Sequence, residues 1–101
     1  MTDKIKLRPS LALELHRDSI REIALRHRVK NARVFGSVLH GDTEDSDLDL
    51  LVDPTSETRL MDIGAIRYEL KELLGISVDV LTPKSLPEKF RYSVLAEAKP
   101  V

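Results

Sequence analysis

Two carboxylates and a Gly-Ser pair lie close together in the middle of this chain. Gly36 and Ser37 are followed, after nine residues, by Asp47-Leu48-Asp49. Because side chains alternate across a strand, Asp47 and Asp49 are expected on one side and Leu48 on the other. Carboxylate oxygens are ligands that Mg²⁺ prefers, and a glycine lets the backbone approach a phosphate with no side chain in between. The pattern therefore indicates metal-assisted chemistry on a phosphate-bearing substrate.

A third carboxylate, Asp79, follows in a short segment that alternates apolar and polar residues, with Val78 and Val80 beside it. The alternation directs both valines to the core and Asp79 to the opposite side, where it can face Asp47 and Asp49 if the two strands are neighbours. Three converging carboxylates repel one another unless a cation neutralises them. We therefore expect a catalytic and metal-binding set of three aspartates.

Each of these residues has an expected role if two magnesium ions bind, as in many phosphate-transfer sites. Asp47 and Asp49 hold both ions, and Asp79 binds the ion on the nucleophile's side and can accept the proton of an attacking hydroxyl. Gly36 and Ser37 are expected to bind the nucleotide, with the Ser37 hydroxyl and amide on the terminal phosphates. An Asp-x-Asp pair alone is weak support, because it also occurs on ordinary solvated sheet edges, but that simpler interpretation leaves the Gly-Ser pair unexplained.

Several elements must position these side chains. Apolar spacing predicts a long first helix, a second helix of about 16 residues that ends at Gly75, and a short last helix. Runs of β-prone residues bounded by turn residues predict three strands, and a single helical turn follows the Gly-Ser pair. The first expected helix is Ser10 to Arg28, the second follows the capping residues Thr55 to Thr58 and ends at Gly75, and the last is Pro87 to Ala98. The expected turn is Val38 to His40, and the expected strands are Ala32 to Phe35, Asp47 to Val52 and Ile76 to Leu81.

The order strand, helix, strand favours a crossover connection that places the second and third strands in one sheet. The predicted fold class is α/β, a small mixed β-sheet with helices packed on one face. The 101 residues support a single domain over 1–101, with an amino-terminal helix at about 10–28, a catalytic core at about 32–81 and a helical tail at about 87–98.

Composition restricts the classes of function. A formal net charge of −1 argues against indiscriminate binding to a nucleic-acid backbone, so we expect no direct nucleic-acid partner. The absence of cysteine excludes disulfides and thiolate metal sites and suits the cytoplasm. The segment 1–6 carries charges with no apolar run behind it, and no long apolar run follows, so we expect neither a signal peptide nor a membrane span.

The Gly-Ser pair, the Asp-x-Asp pair and the later aspartate resemble the signature of the DNA polymerase β-like nucleotidyltransferase superfamily. The resemblance covers about residues 32–81, and the segment from Gly41 to Val52 is similar to that of the minimal nucleotidyltransferases. It implies the nucleotidyltransferase fold, Mg²⁺ as cofactor and ATP as substrate. One position departs from the pattern: many relatives have an arginine where this chain has His40, so the cation on the phosphates would come from elsewhere, with Arg33, Arg67 and Lys71 as alternatives.

The same resemblance implies a partner. Minimal nucleotidyltransferases are antitoxins encoded beside HEPN toxins, which are small helical ribonucleases, and they transfer AMP from ATP to a tyrosine of the toxin. A chain of this length leaves no room for a domain that encloses the nucleotide base and the acceptor. We therefore expect another macromolecule or a second copy of the chain to supply the acceptor surface, for example in a hetero-oligomer with the toxin. Phe90, Tyr92, Val94 and Leu95 are candidates for that surface, unless their helix covers the open face of the sheet. A non-catalytic antitoxin that acts by binding, and a transferase for a small hydroxyl or amine, are the alternatives.

Overall fold

The computed structural model describes residues 7–101. The segment 1–6, on which the prediction of no signal peptide depends, lies outside the described residues. The helices are α1 (Pro9–Arg26), α2 (Ser37–His40), α3 (Leu60–Leu74) and α4 (Glu88–Glu97), and the strands are β1 (Val29–Phe35), β2 (Leu48–Pro54), β3 (Val78–Leu81) and β4 (Lys99–Pro100), with a short 3₁₀ turn at Pro83–Ser85. Within residues 7–101, no helix has both the length and the apolar character needed to cross a membrane.

The four strands form one mixed sheet in the order β3-β2-β1-β4. β2 is parallel to β3, whereas β1 is antiparallel to both of its neighbours, β2 and β4. The parallel pair is the one that the strand-helix-strand order predicts, because a helix between two strands returns the chain to the same edge of the sheet. The mixed α/β sheet is thereby confirmed.

The long helices α1 and α3 cover one face of the sheet. Their apolar positions meet the even-numbered residues of β2 and the valines of β3 in the main core. Its fully or nearly fully buried members include Ile20 and Ile66 from the helices and Leu48, Leu50 and Val80 from the sheet. Burial of these side chains is the main favourable term that holds the layers together.

The opposite face is partly covered as well. Phe35 and Leu51 form a second cluster with Leu86, against which Val94 and Ala98 of the carboxyl-terminal segment pack. The two long helices therefore pack on one face as predicted, whereas α4 covers the open face, which is the alternative that the sequence offered for its apolar residues. Of the four α4 residues considered for the acceptor surface, Val94 packs against the sheet. The other three are partly or largely exposed: Phe90, Tyr92 and Leu95.

Several predicted boundaries shift by a few residues. The first helix ends at Arg26 instead of residue 28, because Arg28 adopts a left-handed φ of 66° and β1 begins at Val29. Asn31, interpreted as part of a turn, lies at an irregularity in β1 where the register with β2 shifts. Gly75 is left-handed, with a φ of 68°, and ends α3 as predicted. The two-residue β4 was not predicted, because it is too short to show an alternating pattern.

Candidate active site

Asp49 and Asp79 are direct neighbours across the parallel pair of strands. The register of β2 and β3 places Asp49 opposite Asp79, and on the other side Asp49 lies opposite Phe35 of β1. Neighbouring strands are about 5 Å apart, so the two carboxylates leave the same face of the sheet at contact range. Asp47 lies one residue before β2 begins at Leu48. The structure thus brings the three predicted aspartates to one end of the sheet.

Gly36 lies against the carboxylate of Asp49. Its φ is 76°, a left-handed conformation that side chains rarely adopt, and a Cβ added there would stand 2.5 Å from Asp49 Oδ2. Such a contact is far inside the van der Waals distance, so a residue other than glycine would push the carboxylate or the loop away. The glycine of the Gly-Ser pair is therefore required for a close approach of the loop to Asp49, in addition to any contact with a phosphate.

Ser37 begins α2 immediately after this glycine. Its hydroxyl lies 3.4 Å from the backbone carbonyl of Asp47, a weak hydrogen bond in which Ser37 Oγ donates. The Gly-Ser pair therefore touches both members of the Asp-x-Asp motif, Gly36 through Asp49 and Ser37 through Asp47. A bound phosphate would compete with this weak contact for the same hydroxyl proton.

The electrostatics of the site are set by uncompensated negative charge. Burial first, and then the neighbouring charges of Asp79 and Asp47, together raise the pKa of Asp49 from 3.8 to about 6. Within residues 7–101, none of the ion pairs involves these three carboxylates. Because no basic side chain of the described residues neutralises the group, the site favours either a proton on Asp49 or a bound cation.

The donor set fits magnesium. Hard carboxylate oxygens are its preferred protein ligands, and it usually takes one or two of them together with water and substrate phosphates. Across the described part of the chain, no three acidic or histidine side chains are gathered tightly enough to hold one ion on their own. Asp47 and Asp49 would therefore hold an ion as a pair, with Asp79 alongside and the remaining positions open to phosphate oxygens.

Two of the three basic residues considered for the phosphates are engaged elsewhere. Arg33 donates to Asp53 at 2.6 Å, and Arg67 donates through Nε to the backbone carbonyl of Val78 at 3.1 Å. Lys71 is exposed on α3. None of the three is therefore placed by a described contact on the carboxylate group.

Two further polar residues near the site, Asp53 and His40, are engaged by other side chains. Asp53 lies within β2, where it accepts from Arg33 and, at 2.8 Å, from the side-chain amide of Asn31. His40 lies at the end of α2, where its ring nitrogen Nε2 is 2.8 Å from a carboxylate oxygen of Glu97 in α4. His40 thus contacts α4 at the protein surface.

One residue near the site has a contact that the sequence did not reveal. Asp42 accepts two hydrogen bonds from Ser10 at the start of α1. No local pattern signals a pair of residues 32 positions apart. The lack of a capping side chain ahead of Pro9 was the one available hint that α1 obtains its cap from another part of the chain.

Comparison with known proteins connects this geometry to one family. Residues 13–101 match the family model described as "Nucleotidyltransferase domain". The chain is 36% identical over 86 residues to protein adenylyltransferase MntA of Thermococcus cleftensis, across 84% of each chain. It is 42% identical over 77 residues to a Methanocaldococcus jannaschii protein provisionally named a protein adenylyltransferase, across 75% of this chain and 83% of that one.

A solved structure gives the same result in three dimensions. A provisionally assigned minimal nucleotidyltransferase superposes with a TM-score of 0.80 at 38% sequence identity, covering 91% of this chain and 95% of that one. The similarity therefore extends over the whole sheet and its helices and is not confined to the motif residues.

Proposed function

Because this chain belongs to the nucleotidyltransferase domain family, we propose that it transfers AMP from ATP to a hydroxyl of a partner protein. Nucleotidyl transfer is the activity of the family, and the chain is accordingly an enzyme of this class. The finer proposal has an adenylyl group as the transferred group and a protein side chain, most simply a tyrosine, as the acceptor. It is supported by the names of the relatives, which describe protein adenylyltransferases.

The apposition of Gly36, Asp49 and Asp79 is the observation that carries the proposal. Asp49 is half-buried and lies opposite the carboxylate of Asp79 on the neighbouring strand. The group packed against its own carboxylate is Gly36, which carries no positive charge. A surface patch without function would be expected to disperse such charges or pair them with bases, because like charges at this range destabilise the fold. Their retention together is what a site for a magnesium nucleotide requires.

In the proposed reaction, the acceptor oxygen attacks the α-phosphorus of ATP. A bond forms between that oxygen and phosphorus, the bond from phosphorus to the oxygen bridging to the β-phosphate breaks, and pyrophosphate leaves. Asp79, exposed at the end of the sheet, receives the proton of the attacking hydroxyl on a carboxylate oxygen. Gly36 and Ser37 bind the terminal phosphates through backbone amides and the Ser37 hydroxyl.

Asp47 and Asp49, with Asp79 alongside, are the residues that would hold magnesium. When bound, the metal supplies charge neutralisation for the phosphates and orients the attacking and leaving oxygens. A metal held by these carboxylates would supply further positions for phosphate oxygens near the start of β2.

For the partner, we propose a HEPN ribonuclease toxin that this chain silences as its antitoxin. The proposal is supported by the resemblance of the motif segment to minimal nucleotidyltransferases and by the similarity to MntA. The acceptor would dock near the three aspartates and present its hydroxyl to Asp79. In this arrangement the acceptor completes the site.

The test is transfer of label from α-labelled ATP to the product of the neighbouring gene in the presence of magnesium. We expect a mass increase in steps of one AMP on that partner. The Asp47→Asn, Asp49→Asn double variant and the Asp79→Asn variant should abolish it. A Glu44→Gln, Asp45→Asn double variant removes the same number of charges from the exposed loop and should retain transfer.

Three results would overturn parts of the proposal. Label retained by Asp79→Asn at the original rate would remove this residue from the reaction. A tight complex in which the Asp47→Asn, Asp49→Asn variant neutralises the toxin as well as the wild type, with no label, would instead establish an antitoxin that acts by binding. Label on a small hydroxyl compound in place of the protein would identify a transferase that acts on small molecules.

A further inference from the structure

The loop that delivers Asp47 is attached to α1 by one carboxylate. Asp42 Oδ2 accepts from the backbone N–H of Ser10 at 2.6 Å, and Asp42 Oδ1 accepts from the Ser10 hydroxyl at 2.8 Å. Both bonds are partly buried and join residues 32 positions apart. A bidentate, charge-assisted contact of this kind is among the stronger hydrogen-bonding arrangements in proteins.

Helix α1 depends on this contact for its cap. At its start, Pro9 has no N–H, and the N–H groups of Leu11 and Ala12 donate to the carbonyl of Arg8. The N–H of Ser10 has no partner within the helix, and the Arg8 side chain, at the N-cap position, makes no capping hydrogen bond. Asp42 therefore supplies from the loop what a local Ser, Thr, Asp or Asn at position 8 would ordinarily supply. The interaction joins two elements, so it constrains the loop as much as it stabilises the helix.

The constraint continues along the loop to the site. The backbone N–H of Thr43 donates to Ser46 Oγ at 3.0 Å, and the N–H of Ser46 donates to the carbonyl of Thr43 at 3.0 Å, which closes a tight turn. The next residue is Asp47, whose carbonyl accepts the weak bond from Ser37. Among residues 7–101, the loop from Asp42 to Asp47 thus has one strong attachment, at its start.

Asp47 has few other contacts with the described residues that would hold it in place. It is exposed and precedes the first paired residue of β2, Leu48, whose N–H donates to the carbonyl of Ser77 at 2.9 Å. The distance from Asp47 to Asp49 therefore depends on where the loop is held. Asp49, by contrast, is fixed within the sheet by its register with both neighbouring strands.

We propose that Asp42 is a positioning residue for nucleotidyl transfer: by docking the loop on Ser10, it holds Asp47 at the distance from Asp49 at which the pair binds a divalent cation. The inference rests on the proposed function, because it assigns the pair a metal-binding role. Partners that orient metal ligands are commonly worth about 10- to 100-fold in metal affinity or activity, and a displacement of about 1 Å can cost a similar factor.

The alternative is that Asp42 only caps α1, and a designed rescue separates the two roles. Asp42→Ala removes both the cap and the loop attachment. Adding Arg8→Asp to that variant gives α1 a local cap at its N-cap position while leaving the loop free. Asp45→Ala, which removes an exposed carboxylate from the same loop, is the matched control.

Three quantities are measured on these variants. Affinity for Mn²⁺, as a paramagnetic probe for magnesium, is measured on the free protein by electron paramagnetic resonance. Resistance to urea reports the cap, and kcat and KM for ATP report the reaction. For Asp42→Ala we expect a loss of Mn²⁺ affinity of about 10- to 100-fold, a similar fall in kcat and a lower urea midpoint. Arg8→Asp should restore the urea midpoint alone, and Asp45→Ala should leave all three quantities near the wild-type values.

Each other outcome decides against a specific part. Recovery of Mn²⁺ affinity and kcat together with the urea midpoint in the Arg8→Asp, Asp42→Ala variant would reduce Asp42 to a helix cap, as would unchanged Mn²⁺ affinity in Asp42→Ala. A wild-type chain that binds Mn²⁺ but transfers nothing would refute the proposed function, while the affinities would still decide the role of Asp42. A wild-type chain that does not bind Mn²⁺ would refute both.

Discussion

Replacing Asp49 by asparagine should make the metal-free protein more stable at neutral pH, although it removes a proposed catalytic residue. The asparagine side chain has nearly the shape of a protonated aspartate but carries no charge. The native environment disfavours the charged form of Asp49 through burial and through Asp79 and Asp47. In the unfolded chain that penalty is absent, so neutralising Asp49 relieves a cost that only the folded state bears.

The magnitude follows from the pKa. A rise in the pKa from 3.8 to about 6 corresponds to at most about 3 kcal/mol of unfavourable interaction, at about 1.4 kcal/mol for each tenfold change in the equilibrium. Because Asp49 is only half-buried, water screens part of it, and we expect about 1 to 2 kcal/mol. For a domain of this size that is a rise in Tm on the order of 5 to 10 °C.

The sign has a defined pH window. A carboxyl whose pKa is higher in the folded state costs stability as the pH rises, between the unfolded value of 3.8 and the folded value of about 6. The advantage of Asp49→Asn should therefore be complete above about pH 6, shrink as the pH falls and vanish below about pH 4. The chain has no tryptophan, so urea unfolding is best followed by far-ultraviolet circular dichroism, with a chelator present.

Asp45→Asn is the matched control, because it removes an exposed carboxylate from the adjoining loop. It should change the free energy of unfolding little at any pH. Adding magnesium should stabilise the wild-type protein more than Asp49→Asn, since a ligand stabilises only the state that binds it. An Asp49→Asn variant that is no more stable than Asp45→Asn at about pH 7.5 would falsify the assignment of Asp49 as a carboxylate held at an energetic cost.

Three further predictions concern the same chain. Gly36→Ala should lower kcat/KM by about 100-fold or more, because its Cβ would stand 2.5 Å from Asp49 Oδ2. The control Gly41→Ala has a φ of +100° but nothing within 4 Å of the added Cβ, so it should cost only backbone strain of about 1 to 2 kcal/mol. Equal activities of the two variants would contradict the steric reasoning. The value of kcat/KM for ATP should fall as the pH drops through about 6, where Asp49 takes up a proton. The midpoint of this fall should move to lower pH as the magnesium concentration rises. A midpoint that does not depend on magnesium would show that the titrating group is not a metal ligand. Asp62→Ala should lower the free energy of unfolding by about 1 to 2 kcal/mol, with Mn²⁺ affinity unchanged, because the buried Asp62 carboxylate accepts from the backbone N–H of Arg59 at 2.8 Å at the start of α3; urea unfolding measures the loss, and a stabilised variant would contradict it.

The sequence by itself determined the elements and the identity of the candidate residues. Alternation along β2 and β3 and the intervening helix were enough to place Asp79 beside the Asp-x-Asp pair, and the register confirms that Asp49 and Asp79 are opposite each other. Gly75 was enough to end α3. These features are local, since periodicity, turn residues and the geometry of a crossover depend on residues a few positions apart.

Only the tertiary structure decided which groups touch across long separations in the chain. It alone revealed that Gly36 is pressed against the Asp49 carboxylate, that Asp42 caps α1 through Ser10, and that Arg33 is committed to Asp53. It also decided between the two interpretations of α4, because Val94 packs on the second face of the sheet. Such contacts depend on how whole layers pack, and a short polar loop carries no periodic signal that could announce them. The candidate site residues could therefore be proposed from the sequence, whereas their contacts with the rest of the fold could not.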